Sequence, residues 1–259
     1  MNILVSNDDG IEAKGLHVLV DALSRVPGNQ VYVAAPDGQR SACGHGISMF
    51  EMLKIDERQV PGAVWARAVS GTPADSVKFG MKYLAREENV RIDVVFSGIN
   101  HGGNIGSDVH YSGTVSAAAE GLLCGVPAVA VSLGTHHPTD EMLENCSALI
   151  QDISKRAVPE LEKTTLLNVN FPPVPPAEIK GLRVTRLGPR EYDERFDLLE
   201  NPRGQKYCWY SGRLVQYEGL AEDIDTAAQQ EGFISITPLK LDMTDYELRD
   251  RVRGWNLKY

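Results

Sequence analysis

Six short apolar segments, separated by amphipathic or loop-rich stretches, occupy the first two-thirds of the chain. Their Val, Ile and Leu content predicts parallel strands that are buried on both faces. Between them, apolar residues recur at helical spacing, as at Leu16, Leu19, Val20 and Leu23, which predicts amphipathic helices. We therefore expect an α/β fold, a three-layer sandwich whose mostly parallel sheet lies between two layers of helices. The predicted strands are 2–6, 30–35, 64–69, 93–97, 128–132 and 166–170.

Composition narrows the class of protein. The chain has 259 residues, enough for one large α/β domain or for a core with an appendage. Its net charge of −9 argues against binding of a nucleic-acid polymer through the phosphate backbone. The four cysteines include no C-x-x-C pair, so neither a zinc site nor a disulfide framework is indicated. Because neither a leader nor an apolar run of membrane-spanning length is evident, we expect a cytoplasmic protein without membrane association.

The pattern changes at a proline-rich connector, residues 171–176, where four prolines stiffen the chain. Residues 188–228 then show little helical periodicity, and so long an irregular segment is unusual inside a compact domain. We expect a β-arm here that packs on another subunit. The chain thus divides into a core, 1–187, and an extension, 188–259, with an oligomerisation arm, a return strand and a C-terminal helix. Further predicted strands are 182–187 and 233–239.

Two helix starts can be read from capping residues. Thr72, Pro73 and Asp75 have the order of an N-cap, a first-turn proline and a carboxylate that matches the helix dipole. Thr244 and Glu247 have the spacing of a capping box, which predicts the start of the final helix.

Two adjacent carboxylates, Asp8 and Asp9, follow the first predicted strand and are closed by Gly10. Ligands of open α/β sheets lie beyond the carboxyl ends of the strands. The acidic pair lies at such an end, because it directly follows the first strand. Both side chains can reach one ion only if the chain turns between them, and glycine permits such a turn. Two crowded anions favour a bound cation, so a hard divalent metal is one interpretation. An ordinary Asp-rich turn is the other.

Three more loops can join the acidic pair. Ser41 offers an oxygen in a glycine-containing loop after the second strand, and Asn100 and Asn104 offer amide oxygens in a glycine-rich loop after the fourth. The alternatives are a flexible loop in the first case and simple turn geometry in the second. Ser112 and Thr114, which flank Gly113, precede a predicted helix, where they can cap it or mark an anion site at its N-terminus.

Several nucleotide and hydrolase signatures are missing from the sequence. The first strand is not followed by G-x-G-x-x-G, so dinucleotide binding is not indicated, and there is no Walker A sequence. The contiguous acidic pair does not fit the spaced Asp-x-Asp of haloacid-dehalogenase-type phosphatases. No G-x-S-x-G elbow supports a serine hydrolase.

Six groups of motifs follow one another along the chain: Asn7-Asp8-Asp9-Gly10, residues 35–41, 71–75, 97–100 with 103–106, 111–115 with 118–121, and 232–239. In these motifs and in their order, from the first residues to about Thr244, the chain resembles the SurE family, the stationary-phase survival proteins that act as 5′/3′-nucleotidases. The resemblance implies a Rossmann-like domain with a C-terminal extension exchanged between the subunits of a homodimer or homotetramer.

The resemblance also implies an activity, the metal-dependent removal of phosphate from nucleoside 5′- and 3′-monophosphates. The family's metal ligands map onto Asp8, Asp9, Ser41 and Asn100. Their oxygen atoms suit one Mg²⁺ or Mn²⁺ ion per subunit. Asn104 with Ser112, Gly113 and Thr114 would hold the phosphate, and Asp8 and Asp9 are the expected catalytic residues, Asp8 as base or as the group that positions the nucleophile.

Two rival functions stay open, and no residue is an evident candidate for the general acid. A hydrolase of the same fold could act on another phosphoester, such as short-chain polyphosphate, or the chain could bind nucleotides without turnover. Protonation of the leaving oxygen lacks a clear candidate. His45 and His101 lie in the right loops, but a single loop histidine is more often incidental.

Overall fold

A nine-stranded sheet forms the centre of the computed structural model, which describes residues 1–255 and 257–258. The strand order is β3-β4-β2-β1-β5-β6-β7-β11-β8, and a separate two-stranded sheet pairs β9 with β10. The strands are β1 (Asn2–Ser6), β2 (Gln30–Pro36), β3 (Ile55–Glu57), β4 (Trp65–Val69), β5 (Val94–His101), β6 (Ala128–Leu133), β7 (Leu166–Phe171), β8 (Leu182–Val184), β9 (Tyr192–Glu200), β10 (Lys206–Leu214) and β11 (Ile234–Leu239).

The predicted mostly parallel sheet is confirmed. Strands β4, β2, β1, β5, β6 and β7 run parallel to their neighbours. Antiparallel pairs occur where β3 meets β4 and where β11 meets β7. The order reverses direction beside β1, since β2 and β5 lie on its two sides, so the carboxyl ends of β1 and β5 open onto one crevice.

Helices cover both faces of the sheet, as the apolar spacing predicted. Helices α1 and α4 pack together on one face, and α2 and α3 pack together on the other. The helices are α1 (Lys14–Ser24), α2 (Pro73–Glu87), α3 (Gly113–Leu123), α4 (Asp140–Asp152), α5 (Asp225–Gln230) and α6 (Tyr246–Arg253). No helix in the described part of the chain combines the length and the apolar character needed to cross a membrane.

The first capping prediction is confirmed and the second is wrong. Thr72 accepts a hydrogen bond from the N–H of Asp75, whose carboxylate accepts one from the N–H of Thr72, so both halves of a capping box are present at α2. At α6 the N-cap is Asp245, which accepts from the N–H of Leu248, and not Thr244. The carboxylate of Asp245 caps the helix in place of the Thr244 hydroxyl, since aspartate is at least as favourable an N-cap as threonine.

The segment without helical periodicity contains a long hairpin. Strands β9 and β10 pair antiparallel over nine residues each, and every residue of β9 is exposed. Beyond the hairpin the chain returns to the core, because α5 is largely buried and β11 inserts between β7 and β8. The hairpin extends from the body of the chain, and several large apolar side chains on it are open to solvent: Phe196, Leu198, Leu199 and Trp209.

Candidate metal and phosphate site

The acidic pair lies where β1 ends, facing the start of α3. Gly10, which closes the turn after it, has φ +100°. An added Cβ there would stand 3.1 Å from backbone carbon of Gly38, so both the torsion and the space favour glycine. The Asn7 side chain clamps the same turn, because its amide nitrogen donates to the carbonyl of Gly10 (2.8 Å) and its oxygen accepts from the N–H of Gly10 (3.2 Å).

Asp8 is almost fully buried and is held by α3. The hydroxyl of Thr114 donates to Oδ1 of Asp8 across 2.6 Å, and the N–H of Thr114 donates to Oδ2 across 3.2 Å. Burial, with a smaller contribution from the charge of Asp9, raises the pKa of Asp8 to about 6, although the bonds from Thr114 act in the opposite direction. The site therefore holds a carboxylate that is costly to ionise without a cation.

Asp9 is bonded to the end of β5, the strand that carries Asn100. Oδ2 of Asp9 accepts from the N–H of His101 at 3.3 Å. The side-chain nitrogen of Asn100 donates to the carbonyl of Gly102 at 2.7 Å, so its oxygen is the atom it can offer to a cation. The pairing of β5 with β6 shifts register between Ser97 and Asn100, an irregularity of the kind that redirects side chains near active sites.

Ser41 approaches from the loop after β2. The N–H of Arg40 donates to the carbonyl of Asp8 at 2.7 Å, which fixes this loop against the end of β1. Gln39 donates to the Ser41 hydroxyl at 3.0 Å, and the N–H of Gly44 donates to the carbonyl of Tyr111 at 3.0 Å. Backbone bonds on both sides thus position an otherwise exposed serine.

The start of α3 keeps one donor free. Ser112 is the N-cap and accepts from the N–H of Val115 at 3.0 Å, while the N–H of Thr114 is taken by Asp8. In the described part of the chain, the N–H of Gly113 has no acceptor. Gly113 also lacks room for a side chain, because an added Cβ would lie 2.7 Å from Cβ of Asp8.

Asn104 is fixed by two asparagines of β7. Its backbone N–H donates to the side chain of Asn170 (2.8 Å), and its carbonyl accepts from Asn168 (2.7 Å) and Asn170 (3.1 Å). Its own amide nitrogen donates to the hydroxyl of Ser132 at 2.8 Å. This buried polar network holds the glycine-rich loop rigidly.

A cleft of about 300 Å³ joins these elements. Five predicted site residues line it: Asp8, Ser41, Asn100, Asn104 and Ser112. The other three, Asp9, Gly113 and Thr114, do not line the cleft but are in contact with residues that do, through the bonds and the close approach given above. The loops that were singled out separately in the sequence therefore converge.

The two loop histidines differ in position. His101 lines the cleft, and its Nε2 is buried without a hydrogen-bond partner among the described residues. His45 instead contacts Glu120 through Nε2 at 2.9 Å and is not a cleft residue. Burial alone would raise the pKa of Glu120, but hydrogen bonds from His45 and Lys78 hold it below its usual value.

Four cleft residues were not anticipated from the sequence: Asp108, His136, Arg190 and Tyr192. Nε of Arg190 donates to Oδ2 of Asp108 at 2.7 Å, and the hydroxyl of Tyr192 donates to the same oxygen at 2.9 Å. Arg190 and Tyr192 belong to the root of the hairpin, which Asp225 ties to the core by accepting from Gly106 and Gly188, both at 2.8 Å. No sequence motif pointed to Arg190 and Tyr192, because the path of the hairpin root brings them to the cleft.

The donor chemistry fits a hard divalent ion. No three acidic, histidine or cysteine side chains cluster within residues 1–255 and 257–258, so such an ion would rest on two carboxylates and neutral oxygens. That set is typical of Mg²⁺ or Mn²⁺ and atypical of Zn²⁺. The buried Asp8 beside a second carboxylate supplies the local excess of negative charge that a cation would relieve.

Comparisons with known proteins agree in family and fold. A family model described as "Survival protein SurE" matches residues 3–194. A 5′-nucleotidase SurE of Syntrophomonas wolfei is 42% identical over 256 residues, 98% of this chain and 94% of the relative. A protein of the same name from Gloeobacter violaceus is 46% identical over 248 residues, 94% and 91% of the two chains. The crystal structure of the SurE protein from Aquifex aeolicus matches with a TM-score of 0.79 at 36% identity, covering 98% of this chain and 99% of that one.

Proposed function

The chain belongs to the SurE family, and from this premise we propose that it is a metal-dependent phosphomonoesterase that hydrolyses nucleoside 5′- and 3′-monophosphates to nucleoside and phosphate. The observation that carries the proposal is the bonding of Asp8, beside Asp9, to the first turn of α3. Asp8 therefore joins the proposed cation site directly to the helix start that would bind the phosphate. A phosphate ester bound to a metal needs these two sites next to each other.

Asp8, Asp9, Ser41 and Asn100 would hold one Mg²⁺ or Mn²⁺ ion. When bound, such an ion neutralises phosphoryl charge and makes a water molecule a stronger acid. The support is geometric, since Asp8, Ser41 and Asn100 line one cleft and Asp9 is bonded to the neighbouring His101.

The phosphate would be held in the same cleft, at the start of α3. The N–H of Gly113, which has no acceptor among the described residues, belongs to the first turn of α3, and the neighbouring Ser112 lines the cleft together with Asn104. Thr114 contributes indirectly, because both of its donors are used by Asp8. These two bonds keep the acidic pair at a fixed position relative to the phosphate donors.

Asp8 is the candidate for proton transfer. Before a cation binds, burial raises the pKa of this carboxyl to about 6, so it exchanges a proton closer to neutral pH than an exposed aspartate does. Its two hydrogen bonds from Thr114 fix the orientation of the carboxylate.

We also propose that the chain works as a homodimer or homotetramer in the cytoplasm. The hairpin of β9 and β10 presents Phe196, Leu198, Leu199 and Trp209 to solvent, each more than half exposed, and a second copy of the chain would cover them. The four cysteines are free thiols, as expected in a reducing compartment.

Phosphate release from purified protein tests the activity. After chelation and removal of the chelator, we expect release from 5′- and 3′-nucleoside monophosphates only when Mg²⁺ or Mn²⁺ is restored. Short-chain polyphosphate serves as the rival substrate in the same panel. Full activity in excess chelator, or turnover of polyphosphate alone, would contradict the proposal, and absence of turnover with every substrate and metal would favour a binding protein.

A further inference from the structure

Glu120 lies in α3, about two turns, or roughly 10 Å, beyond Gly113. It belongs to the motif of residues 118–121, which the metal and phosphate site proposed above does not use. Its side chain is buried, with 1% of the residue exposed. A carboxylate in such a position costs free energy unless charged or hydrogen-bonding groups satisfy both of its oxygens. The partners of Glu120 therefore indicate what the buried charge does.

The two oxygens of the Glu120 carboxylate have different partners. Nζ of Lys78, on α2, donates to Oε1 at 2.7 Å, and this ion pair joins α2 to α3. Nε2 of His45 contacts Oε2 at 2.9 Å. Although burial acts to raise it, hydrogen bonds from His45 and Lys78 hold the pKa of Glu120 below its usual value. An ionised carboxylate can only accept, so Nε2 of His45 carries the proton of this bond.

His45 belongs to the irregular loop 42–48, which directly follows Ser41. Further hydrogen bonds tie this loop to the residues that open α2 and α3. They join the N–H of Gly44 to the carbonyl of Tyr111 (3.0 Å), the hydroxyl of Thr72 to the carbonyl of Gly46 (2.7 Å), and the N–H of Ser48 to the carboxylate of Asp75 (2.9 Å). The bond from His45 adds an anchor further along α3, so the loop is fixed to both helices.

Ala42 connects Ser41 to the anchored part of the loop, and its φ is +54°. This is the left-handed region, which residues with a Cβ seldom occupy, and such a conformation persists only where surrounding contacts impose it. On the other side of Ser41, the N–H of Arg40 donates to the carbonyl of Asp8 at 2.7 Å. Ser41 and Ala42 therefore form a short span between two fixed points, and Glu120 helps to hold the second of them.

We propose that Glu120 is a positioning residue for the metal site, because its bond to His45 holds the loop 42–48 against α3 and so keeps the Ser41 hydroxyl at the cleft. This inference rests on the proposed function, in which Ser41 is a metal ligand. Neither Glu120 nor His45 lines the cleft, so both act through the loop and not on the ion. The pair with Lys78 is a separate contact that joins the two helices.

Lys78 provides a matched control. It contacts the same buried carboxylate at nearly the same distance as His45, but it belongs to α2 and not to the loop 42–48. Lys78→Met removes its charge and keeps most of its apolar stem. If Glu120 only stabilises the fold, His45→Ala and Lys78→Met should have the same consequences. If Glu120 positions the loop, His45→Ala alone should weaken metal binding.

The first measurement is the affinity of the folded protein for Mn²⁺, by calorimetry well below the melting temperature. We expect His45→Ala to raise the Kd about tenfold, the low end of the range for residues that orient metal ligands, because it acts through the loop. Lys78→Met should leave the Kd unchanged. His45→Gln, whose amide can donate to the same oxygen, should return the Kd toward the wild-type value. In a Glu120→Met background, which lacks the acceptor, His45→Ala should cause no further loss.

Hydrogen exchange in the metal-free protein tests the loop without metal or substrate. The N–H of Gly44 is protected by its bond to the carbonyl of Tyr111. We expect His45→Ala to speed its exchange by about 10- to 100-fold, the effect of losing one hydrogen bond to a charged group, and Lys78→Met to leave it unchanged. The amides of the buried strand β1 should stay equally protected in both variants.

A wild-type Kd in His45→Ala, or equal losses of Mn²⁺ affinity in His45→Ala and Lys78→Met, would overturn the inference. Hydrogen exchange separates its failure from failure of the proposed function. If the wild-type protein binds no Mn²⁺ and releases no phosphate, the proposed function fails. Faster exchange of the Gly44 N–H in His45→Ala alone would then still support the positioning of the loop by Glu120, and unchanged exchange would overturn it.

Discussion

The hydroxyl of Thr114 donates to Oδ1 of Asp8 across 2.6 Å and so joins the first turn of α3 to the end of β1. This bond links the group proposed to hold the metal to the element proposed to hold the phosphate. It also opposes the rise in the pKa of Asp8 that burial causes.

Removal of the hydroxyl should weaken both functions of the pair. We expect Thr114→Val to lower kcat/KM at least tenfold, since hydrogen bonds to charged groups contribute about 1.5–3 kcal/mol. The pKa of Asp8 should rise further, shifting the acid limb of the pH–rate profile upward. Thr114→Ser, which keeps the donor, should restore both values, and an unchanged profile in Thr114→Val would show that the bond is dispensable.

The contact between Gly113 and Asp8 predicts a steric effect. In Gly113→Ala the new methyl group would lie 2.7 Å from Cβ and 2.9 Å from Oδ2 of Asp8, so the carboxylate must move. We expect a loss of metal affinity and of turnover by more than about tenfold, with small change in thermal stability. Gly38→Ala is the control, because its added Cβ meets nothing within 4 Å. Equal behaviour of the two variants would contradict the assignment.

The raised pKa of Asp8 predicts a pH dependence with a definite sign. In the metal-free folded protein this carboxyl stays protonated up to about pH 6, above its value of 3.8 in the unfolded chain. Folding therefore binds a proton between these values, and this group's contribution to stability falls as pH rises through the window. Divalent metal must displace the same proton, so metal affinity should fall as pH drops below about 6.

Titration of Mn²⁺ into metal-free protein in two buffers of different ionisation enthalpy measures the proton released. We expect close to one proton per ion at about pH 5 and close to none at about pH 8. A metal affinity that is flat across this range would show that Asp8 does not bind the ion.

The exposed hairpin predicts an assembly. We expect light scattering to show a dimer or larger species at micromolar concentration. Paired Leu198→Glu and Leu199→Glu substitutions at the far end of β9 should shift it toward monomer, because they place charge in an apolar contact. Leu123→Glu, at another exposed apolar site at the end of α3, should have no effect. A chain truncated before Gly188 should aggregate, because it lacks both the hairpin and strand β11 of the central sheet. If light scattering shows that the intact chain is a monomer at micromolar concentration, the proposed assembly is refuted.

The parallel strands were predictable because burial on both faces leaves continuous apolar runs, so β1 was predicted at its observed bounds and β7 within one residue. Strand β3 was missed, since its three residues, Ile55–Glu57, lie at the sheet edge and carry no apolar run. The hairpin was not resolved into strands. Its first strand, Tyr192–Glu200, has both faces exposed and hence no alternation of apolar and polar residues.

The same contrast holds at the site. Asp8, Asn100 and Ser112 could be grouped from sequence because each follows a strand or precedes a helix at one edge of the sheet. Arg190 and Tyr192 could not be grouped with them, because their position depends on the bond from Gly188 at the hairpin root to Asp225, 37 residues later in the chain. Local patterns locate the ends of strands, whereas contacts of this kind depend on tertiary packing.

One paired measurement tests the central claim most directly, namely that the acidic pair holds the ion on which hydrolysis depends. Mn²⁺ is titrated into metal-free wild-type protein and Asp9→Asn by calorimetry, and phosphate release from a nucleoside monophosphate is measured on the same samples. We predict one ion per chain and metal-dependent release for the wild type, and parallel losses of affinity and turnover in Asp9→Asn with an unchanged melting temperature of the metal-free protein. Undiminished metal binding and turnover in Asp9→Asn would contradict the account.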